Sequence, residues 1–439
     1  MHITLAFGAI VSNYYQSLTD SQLDLELAVL EQQISEFRSK NLTLDMARGK
    51  PHSDQVDLSR PLLDMLSSSA DFIDKGVDAA NYGCPEGLPS ARQLAAELLG
   101  VAPNRVLVGD SASLSIMYDV IDNAFTRGIG GCEPWYKQGK VTFLCPSPGY
   151  DRHFALTASF GIQNVPIGLG EDGPNMDEVC RLVETDASVK GIWCVPKYAN
   201  PTGITYSDEV VRRFASLKPA APDFRVYWDN AYCVHDLVEP HDELLNIFDA
   251  LEEAGTTNLV YEFASTSKIT IPGAGMSWVA ASDDDIAELA AAFSFHRVCP
   301  NKMVQLAHVR FLQDAQHVTE HMKKHAALAR PRFELVCSKL EAGLGTLGIA
   351  SWTRPQGGYF ISFDGPVGSA QAIVSLAAEL GVKMTSAGAT WPYGKDPRDT
   401  NIRIAPTFPS MEELSQALDV FIVCVKYSAA RLEKQSRQA

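Results

Sequence analysis

Residues 258–268 read Asn-Leu-Val-Tyr-Glu-Phe-Ala-Ser-Thr-Ser-Lys, and the flexible Ile271-Pro272-Gly273-Ala274-Gly275 follows shortly after. The run from Asn258 to Phe263 is β-rich and ends in small residues, then in a lysine. Burial penalises an ammonium, so the end of a buried strand is a poor structural place for Lys268. It is a good chemical place, because a desolvated lysine has a depressed pKa and can add to a carbonyl. A Ser-x-Ser-Lys alone also suits an ordinary loop lysine. Its meaning depends on the strands before it.

Two earlier segments have the same form. Gly191 to Val195 runs into Pro196-Lys197-Tyr198-Ala199-Asn200-Pro201-Thr202-Gly203, and Phe224 to Trp228 runs into Asp229-Asn230-Ala231-Tyr232. Helical segments, Ser207 to Leu217 and Glu243 to Glu253, separate the three strands. This β-α-β-α-β pattern predicts an α/β fold with a mostly parallel sheet. In such sheets ligands bind beyond the carboxyl ends of the strands. Asn200, Asp229, Tyr232 and Lys268 are therefore expected to converge on one crevice. A buried aspartate there requires a cationic partner.

Further upstream, the strand Arg105 to Val108 leads through Gly109-Asp110-Ser111-Ala112-Ser113 into a helix from Leu114 to about Phe125. Strand, small polar turn, helix aims backbone N–H groups and hydroxyls at a phosphate. Ser111 and Ser113 serve equally well as plain helix caps. The strand Val141 to Cys145 ends in Pro146-Ser147-Pro148-Gly149-Tyr150-Asp151-Arg152-His153, which puts Tyr150 where an aromatic can stack on a planar ring. Tyr82 stands in the turn-rich run 81–89 before a helix from Ser90 to Leu99, as a presented contact or as a lid on the core. Near the amino end, a helical stripe from Leu18 to Lys40 starts at Thr19 or Asp20. Gly49 follows between Arg48 and Lys50, in a solvated loop or an anion contact.

Downstream, Met276 to Ala281 reads as a returning strand and Asp285 to Glu341 as mainly helical, with one long stretch from Asn301 to Leu340. His317, His321 and His325 recur there every four residues. That spacing could align metal ligands, but no carboxylate or cysteine motif accompanies it and Lys323 and Lys324 lie alongside. A solvated helix face is the expectation, with no metal. Gly357 to Phe363 reads as a strand and Ala370 to Leu380 as an apolar helix. The short strand Asn401 to Pro406 carries Arg403, a structural cation or a bidentate carboxylate clamp. Gly168, Gly170 and Gly173 match G-x-G-x-x-G, yet Pro174 follows and the closing acid is missing, so a connecting loop is expected.

Composition bounds the rest. The chain has 439 residues, 46% hydrophobic and 21% charged, enough for two or three domains. A net charge of −16 disfavours nucleic acid and acidic membranes as partners. Nine cysteines, with no C-x-x-C pair, fit a reducing compartment. Met1 to Val11 is apolar but lacks a basic start, and is read as an ordinary amino-terminal arm. No apolar run approaches membrane-spanning length. A cytoplasmic protein is expected.

A Schiff-base lysine, an aspartate, a hydroxyl-rich phosphate cradle and an aromatic lid together suit pyridoxal 5′-phosphate. Asn-Pro-Thr-Gly (200–203), Asp-x-Ala-Tyr (229–232) and Ser-x-Ser-Lys (265–268), with Arg403, resemble a fold-type I pyridoxal-phosphate-dependent aminotransferase. The likeness runs from about residue 20 to about 430. Arg-Gly-Lys-Pro (48–51), Asn-Tyr-Gly (81–83), Ser-Leu-Ser-Ile-Met-Tyr-Asp (113–119), the run 146–154 and Asn-Ile-Arg-Ile-Ala-Pro (401–406) resemble more closely the aspartate aminotransferase subgroup related to MocR-type proteins.

The resemblance implies a large cofactor-binding domain, 52–300, whose mostly parallel sheet is flanked by helices. It also implies a smaller α+β domain from both chain ends, 18–51 and 301–432. It assigns Lys268 as Schiff-base lysine and acid–base, Asp229 to the pyridine nitrogen, and Asn200 and Tyr232 to the phenolic oxygen. Tyr150 stacks on the ring, and Ser111, Ala112, Ser113 and Ser265 hold the phosphate. Tyr82 reaches the neighbouring subunit's phosphate, which implies a homodimer with shared sites. Arg403 clamps the substrate α-carboxylate, helped by the Gly49 backbone, while Arg48, Lys50 and Lys197 are unranked candidates for the distal carboxylate. The chain departs from the broader pattern at Met276, where the family has an arginine on the phosphate, and at Asp110, a negative charge beside the phosphate loop. The implied activity is ping-pong amino transfer between an amino acid, aspartate by subgroup, and a 2-oxo acid such as 2-oxoglutarate. A lyase on the same scaffold and a non-catalytic cofactor-binding sensor domain are the competing readings.

Overall fold

A computed structural model describes residues 13–67 and 71–438; the apolar arm Met1 to Val11 lies outside them. The chain divides into two compact units. Among the described residues, the larger comprises 53–328 with 356–358, and the smaller comprises 13–52, 329–355 and 359–438. The division therefore falls at 329 rather than at 301, and the helical residues 301–328 belong with the large sheet.

That sheet has seven strands: β1 (Val106–Gly109), β2 (Thr142–Ser147), β3 (Gln163–Gly168), β4 (Val189–Cys194), β5 (Arg225–Asp229), β6 (Val260–Ser265) and β7 (Ser277–Ala280), in the order β1-β7-β6-β5-β4-β2-β3. β3, β2, β4, β5 and β6 run parallel, and β7 is antiparallel to both its neighbours. Both faces are covered, so β1, β2, β4, β5 and β7 are buried throughout and read as continuous apolar runs. Phe143, Trp193, Tyr227, Phe263 and Val279 pack one face. Leu144, Ile192, Val226, Trp228 and Val260 pack the other, with Val106, Val108 and Trp278 continuing it towards β1.

The topology decides which loops meet. β4, β5 and β6 are adjacent and parallel, so the segments after them emerge side by side. Ser277 of β7 pairs with Gly109 on one side and with Ser265 on the other. The turn after β1 and the turn after β6 thus flank a single strand.

In the smaller unit the helix Asp20–Ser39 starts at a capping box of Thr19 and Gln22, and buries Leu23, Leu27, Leu30 and Ile34. It packs on the helix Met411–Gln438. Ser351–Trp352, Ile361–Asp364 and Asn401–Ile404 form an antiparallel sheet, and Leu44–Asp45 pairs with Val382–Lys383.

Three expectations change. The strand foreseen from Gly357 begins only at Ile361, because Gly358 takes a left-handed φ of 80° that no strand accommodates. The helical run from Asn301 is two helices broken at Gln313, whose φ is 60°. They are labelled below α2 (Lys302–Leu312) and α3 (Ala315–Leu344), after α1 (Ser113–Thr126). Finally, only His317 of the three spaced histidines faces solvent. His321 and His325 are buried, because that face of α3 packs on the 53–59 segment and on the turn after β6.

Candidate active site

The lysine sits in a single helical turn. Beyond β6, the Thr266 N–H donates to the Met276 carbonyl at 2.9 Å, and the N–H groups of Ile269 and Thr270 both return to the Thr266 carbonyl at 2.9 Å. Lys268 Nζ lies 4.9 Å from the centroid of the Tyr232 ring. Desolvation pulls the Lys268 pKa down, and the Asp229 charge opposes the shift. Ser265 and Ser267 bring their hydroxyls within 3.1 Å of each other, and Ser267 Oγ donates to the Ser111 carbonyl at 2.8 Å. The lysine turn and the loop after β1 are thereby tied together.

Asp229 closes β5 and is buried. Its Oδ2 lies 2.9 Å from His153 Nε2, while its Oδ1 is buried with no protein partner. The His153 ring stacks on Trp193 at 4.3 Å and 10°, and meets Tyr150 edge-on at 4.9 Å. Asn200 and Tyr232 are buried. Sequence reasoning gave His153 no role. The signal was its place three residues after Tyr150 on the first turn of the helix Asp151–Ser159, a spacing that puts two side chains on one side. The imidazole is the neighbour that the buried carboxylate requires, supplied by the helix that follows a strand two places away.

A second buried carboxyl went unread. Glu262, in β6, receives Asn230 Nδ2 at 2.8 Å, and burial pushes its pKa up to about 8. It is thus held in its neutral form near Asp229.

The loop after β1 has free donors. Ala112 is the N-cap of α1 and no side chain caps that helix, so the N–H groups at its start, beside Ser111 and Ser113, have no side-chain acceptor. The plain-cap alternative for these serines is not what the structure shows. Asp110, the negative charge beside the phosphate loop, accepts the Asn301 N–H at 2.9 Å. Met276 is buried among apolar side chains. Lys302 spends its ammonium on the Asp78 and Tyr82 carbonyls. Tyr82 itself is 83% exposed and borders the same open pocket as Ser111 and Gly275.

In the smaller unit, Arg403 and Gly49 both meet Phe360. The guanidinium lies 4.8 Å from the ring centroid and donates to Thr385 Oγ1 at 3.2 Å. A Cβ on residue 49 would overlap the same ring, so glycine is required there. Of the distal-carboxylate candidates, Lys197 is buried against Asp236 at 2.8 Å and Arg48 is exposed, 4.0 Å from Asp45. Lys50 lies over Phe408 at 3.8 Å.

The larger unit's donor set fits pyridoxal phosphate. An open carboxylate oxygen suits a protonated ring nitrogen, a desolvated amine suits an aldehyde, and an uncapped helix start between two serines suits a phosphate. Among the described residues, no cluster of three His, Cys, Asp or Glu could hold a metal.

Comparison with known proteins agrees. The family model described as aspartate amino-transferase matches residues 18–438. An aspartate aminotransferase of Corynebacterium glutamicum is 43% identical over 403 residues, 91% of this chain and 93% of that protein. The crystal structure of an aspartate transaminase from the same organism superposes with a TM-score of 0.93 at 41% identity, covering 96% of this chain and all of that one. An α-aminoadipate aminotransferase of Thermus thermophilus, solved with N-(5′-phosphopyridoxyl)-L-leucine, shares the fold at a TM-score of 0.72 and 19% identity, covering 92% and 95% of the two chains.

Proposed function

The chain belongs to the aspartate amino-transferase family, and from that premise we propose that it exchanges the amino group of L-aspartate with 2-oxoglutarate, using Lys268 as its acid–base. It is a pyridoxal-phosphate-dependent aminotransferase of fold type I. The cofactor supplies an electron sink for the substrate Cα and a carrier for the amino group.

The protein's own residues do the rest. Asp229 would keep the ring nitrogen protonated, its Oδ1 being open for that contact, while His153 holds Oδ2 and so fixes the carboxylate's orientation. Asn200 and Tyr232 would donate to the phenolic oxygen. Tyr150, braced on His153, covers the ring. Ser111, Ala112, Ser113 and Ser265, with the N–H groups at the start of α1, bind the phosphate. With the cofactor bound, Lys268 would hold its aldehyde, and because burial lowers the pKa of Nζ the same amine is suited to take up and hand back the substrate Cα proton. Arg403 and Gly49 bind the α-carboxylate. The protein works as a cytoplasmic homodimer in which Tyr82 serves the partner's phosphate. Its exposure and the nine free thiols support this reading, and no described helix is long and apolar enough to cross a membrane.

The open Asp229 Oδ1, set within the electrostatic reach of a desolvated Lys268, carries the proposal. Its test is the visible spectrum of protein reconstituted with pyridoxal phosphate. L-aspartate should bleach the band and 2-oxoglutarate restore it, with neither change in Lys268→Ala. Keto product formed from aspartate with no 2-oxo acid added would instead indicate elimination chemistry, and a protein that takes up no cofactor would end the reading.

A further inference from the structure

Imidazoles pack against the Lys268 turn. His308, on α2, is fully buried, with Nδ1 2.8 Å from the Val304 carbonyl and Nε2 2.8 Å from Thr270 Oγ1 and 3.2 Å from Thr266 Oγ1. A carbonyl only accepts, so the ring proton is on Nδ1, and Nε2 is left as an acceptor for the Thr270 hydroxyl. His321, on α3, has Nε2 2.9 Å from the Ile269 carbonyl, which places its proton on Nε2. His325 Nε2 stands 3.1 Å from His321 Nε2, and two ring hydrogens do not fit between them. Gln55 and Ser59 close the cluster at 3.3 and 3.2 Å. His235, also buried, lies beside the Lys268 backbone. Burial lowers the pKa of all four histidines, as expected of rings held as neutral bonding partners.

Apolar side chains would pack this turn as tightly. What imidazoles add is direction: His308 holds the Thr266 and Thr270 hydroxyls and His321, braced by His325, holds the Ile269 carbonyl. We propose that His308 and the His321–His325 pair are positioning residues for Lys268. They hold the turn so that Nζ meets the cofactor carbon and the substrate Cα in a single geometry, without touching either. The proposal rests on the reading of Lys268 as the cofactor-bearing lysine. It accounts for His321 and His325, the two spaced histidines of α3 that do not face water.

The test uses the holoenzyme with His308→Leu, His321→Leu, the conservative His308→Gln and His321→Gln, and Thr270→Val, which removes the His308 bond from its other end. Borohydride reduction followed by peptide mapping first locates the cofactor; a label anywhere but Lys268 overturns the site reading, and this proposal with it. With the label on Lys268, the leucine variants and Thr270→Val should lose about tenfold or more in kcat, since small misplacements near the reacting atoms are costly. KM for aspartate should stay within about twofold, as expected when only the transition state is affected. The midpoint of the pH titration of the visible cofactor band should shift, and the glutamine variants should recover most of kcat. Combining His308→Leu with Thr270→Val should cost less than the sum of the two, since they share the His308–Thr270 bond. If one of the leucine variants fails to fold, Thr270→Val and the glutamine variants still decide. Unchanged kcat and an unmoved band titration in Thr270→Val, or glutamine variants as impaired as the leucine ones, would overturn the clamp while leaving the role of Lys268 intact.

Discussion

Replacing Glu262 with glutamine isolates a charge that the fold suppresses. Glu262 lies in the middle of β6, paired with Trp228 on one side and Ala280 on the other, and is buried. The Asn230 amide at 2.8 Å favours the carboxylate, but desolvation outweighs it and pushes the pKa from 4.5 up to about 8. The sign follows from linkage. Between those values the folded protein keeps a proton that the unfolded chain has released, so stability falls as pH rises. From about pH 5.5 to about pH 7.5 the loss comes to about 2.5 kcal/mol, using ~1.4 kcal/mol per pH unit with rounding at each end. For a unit of this size that is about 4 °C in Tm. Glu262→Gln keeps the shape and the acceptor for Asn230 but cannot ionise. Tm should therefore be measured for both proteins across that range. The variant should gain on the wild type by a few degrees towards the alkaline end, and the two should converge near about pH 5. Parallel curves would mean that Glu262 ionises normally, and would refute the reasoning.

Three further perturbations are sharp. His153→Phe keeps a ring against Trp193 but removes the bond to Asp229 Oδ2; kcat should fall about tenfold to a hundredfold with Tm little changed, read by steady-state kinetics beside calorimetry. Lys190→Met leaves the buried Asp223 without its cation at 2.6 Å, although Trp135 and Gln138 still donate to it. Denaturant unfolding should show a loss of about 3–5 kcal/mol, and Lys190→Met/Asp223→Asn should recover part of it. Arg403→Lys replaces a planar fork by a point charge, so KM for aspartate should rise about tenfold or more while the protein still binds pyridoxal phosphate with the same visible band.

Some of this protein is legible in the chain alone, because it depends on local rules. Three apolar runs that end in Asn200, Asp229 and Ser265, separated by helical segments, leave few arrangements other than a parallel sheet with its polar groups at one edge. The motifs around Lys268 and Arg403 carried the family, and the missing arginine at Met276 was equally visible. What side chains do across the fold was not. A spacing of four says that His321 and His325 share a helix face, but the cover on that face, the 53–59 segment and the turn at Ile269, comes from some 260 and 50 residues away. The bond from His153 to Asp229 spans 76 positions, and the partner of Glu262 lies 32 positions back. Secondary structure and catalytic motifs are written in short-range periodicity and residue type, whereas burial, and with it the charge state of Lys268, Glu262 and the four imidazoles, is a property of which surfaces meet. Only the tertiary structure decides that.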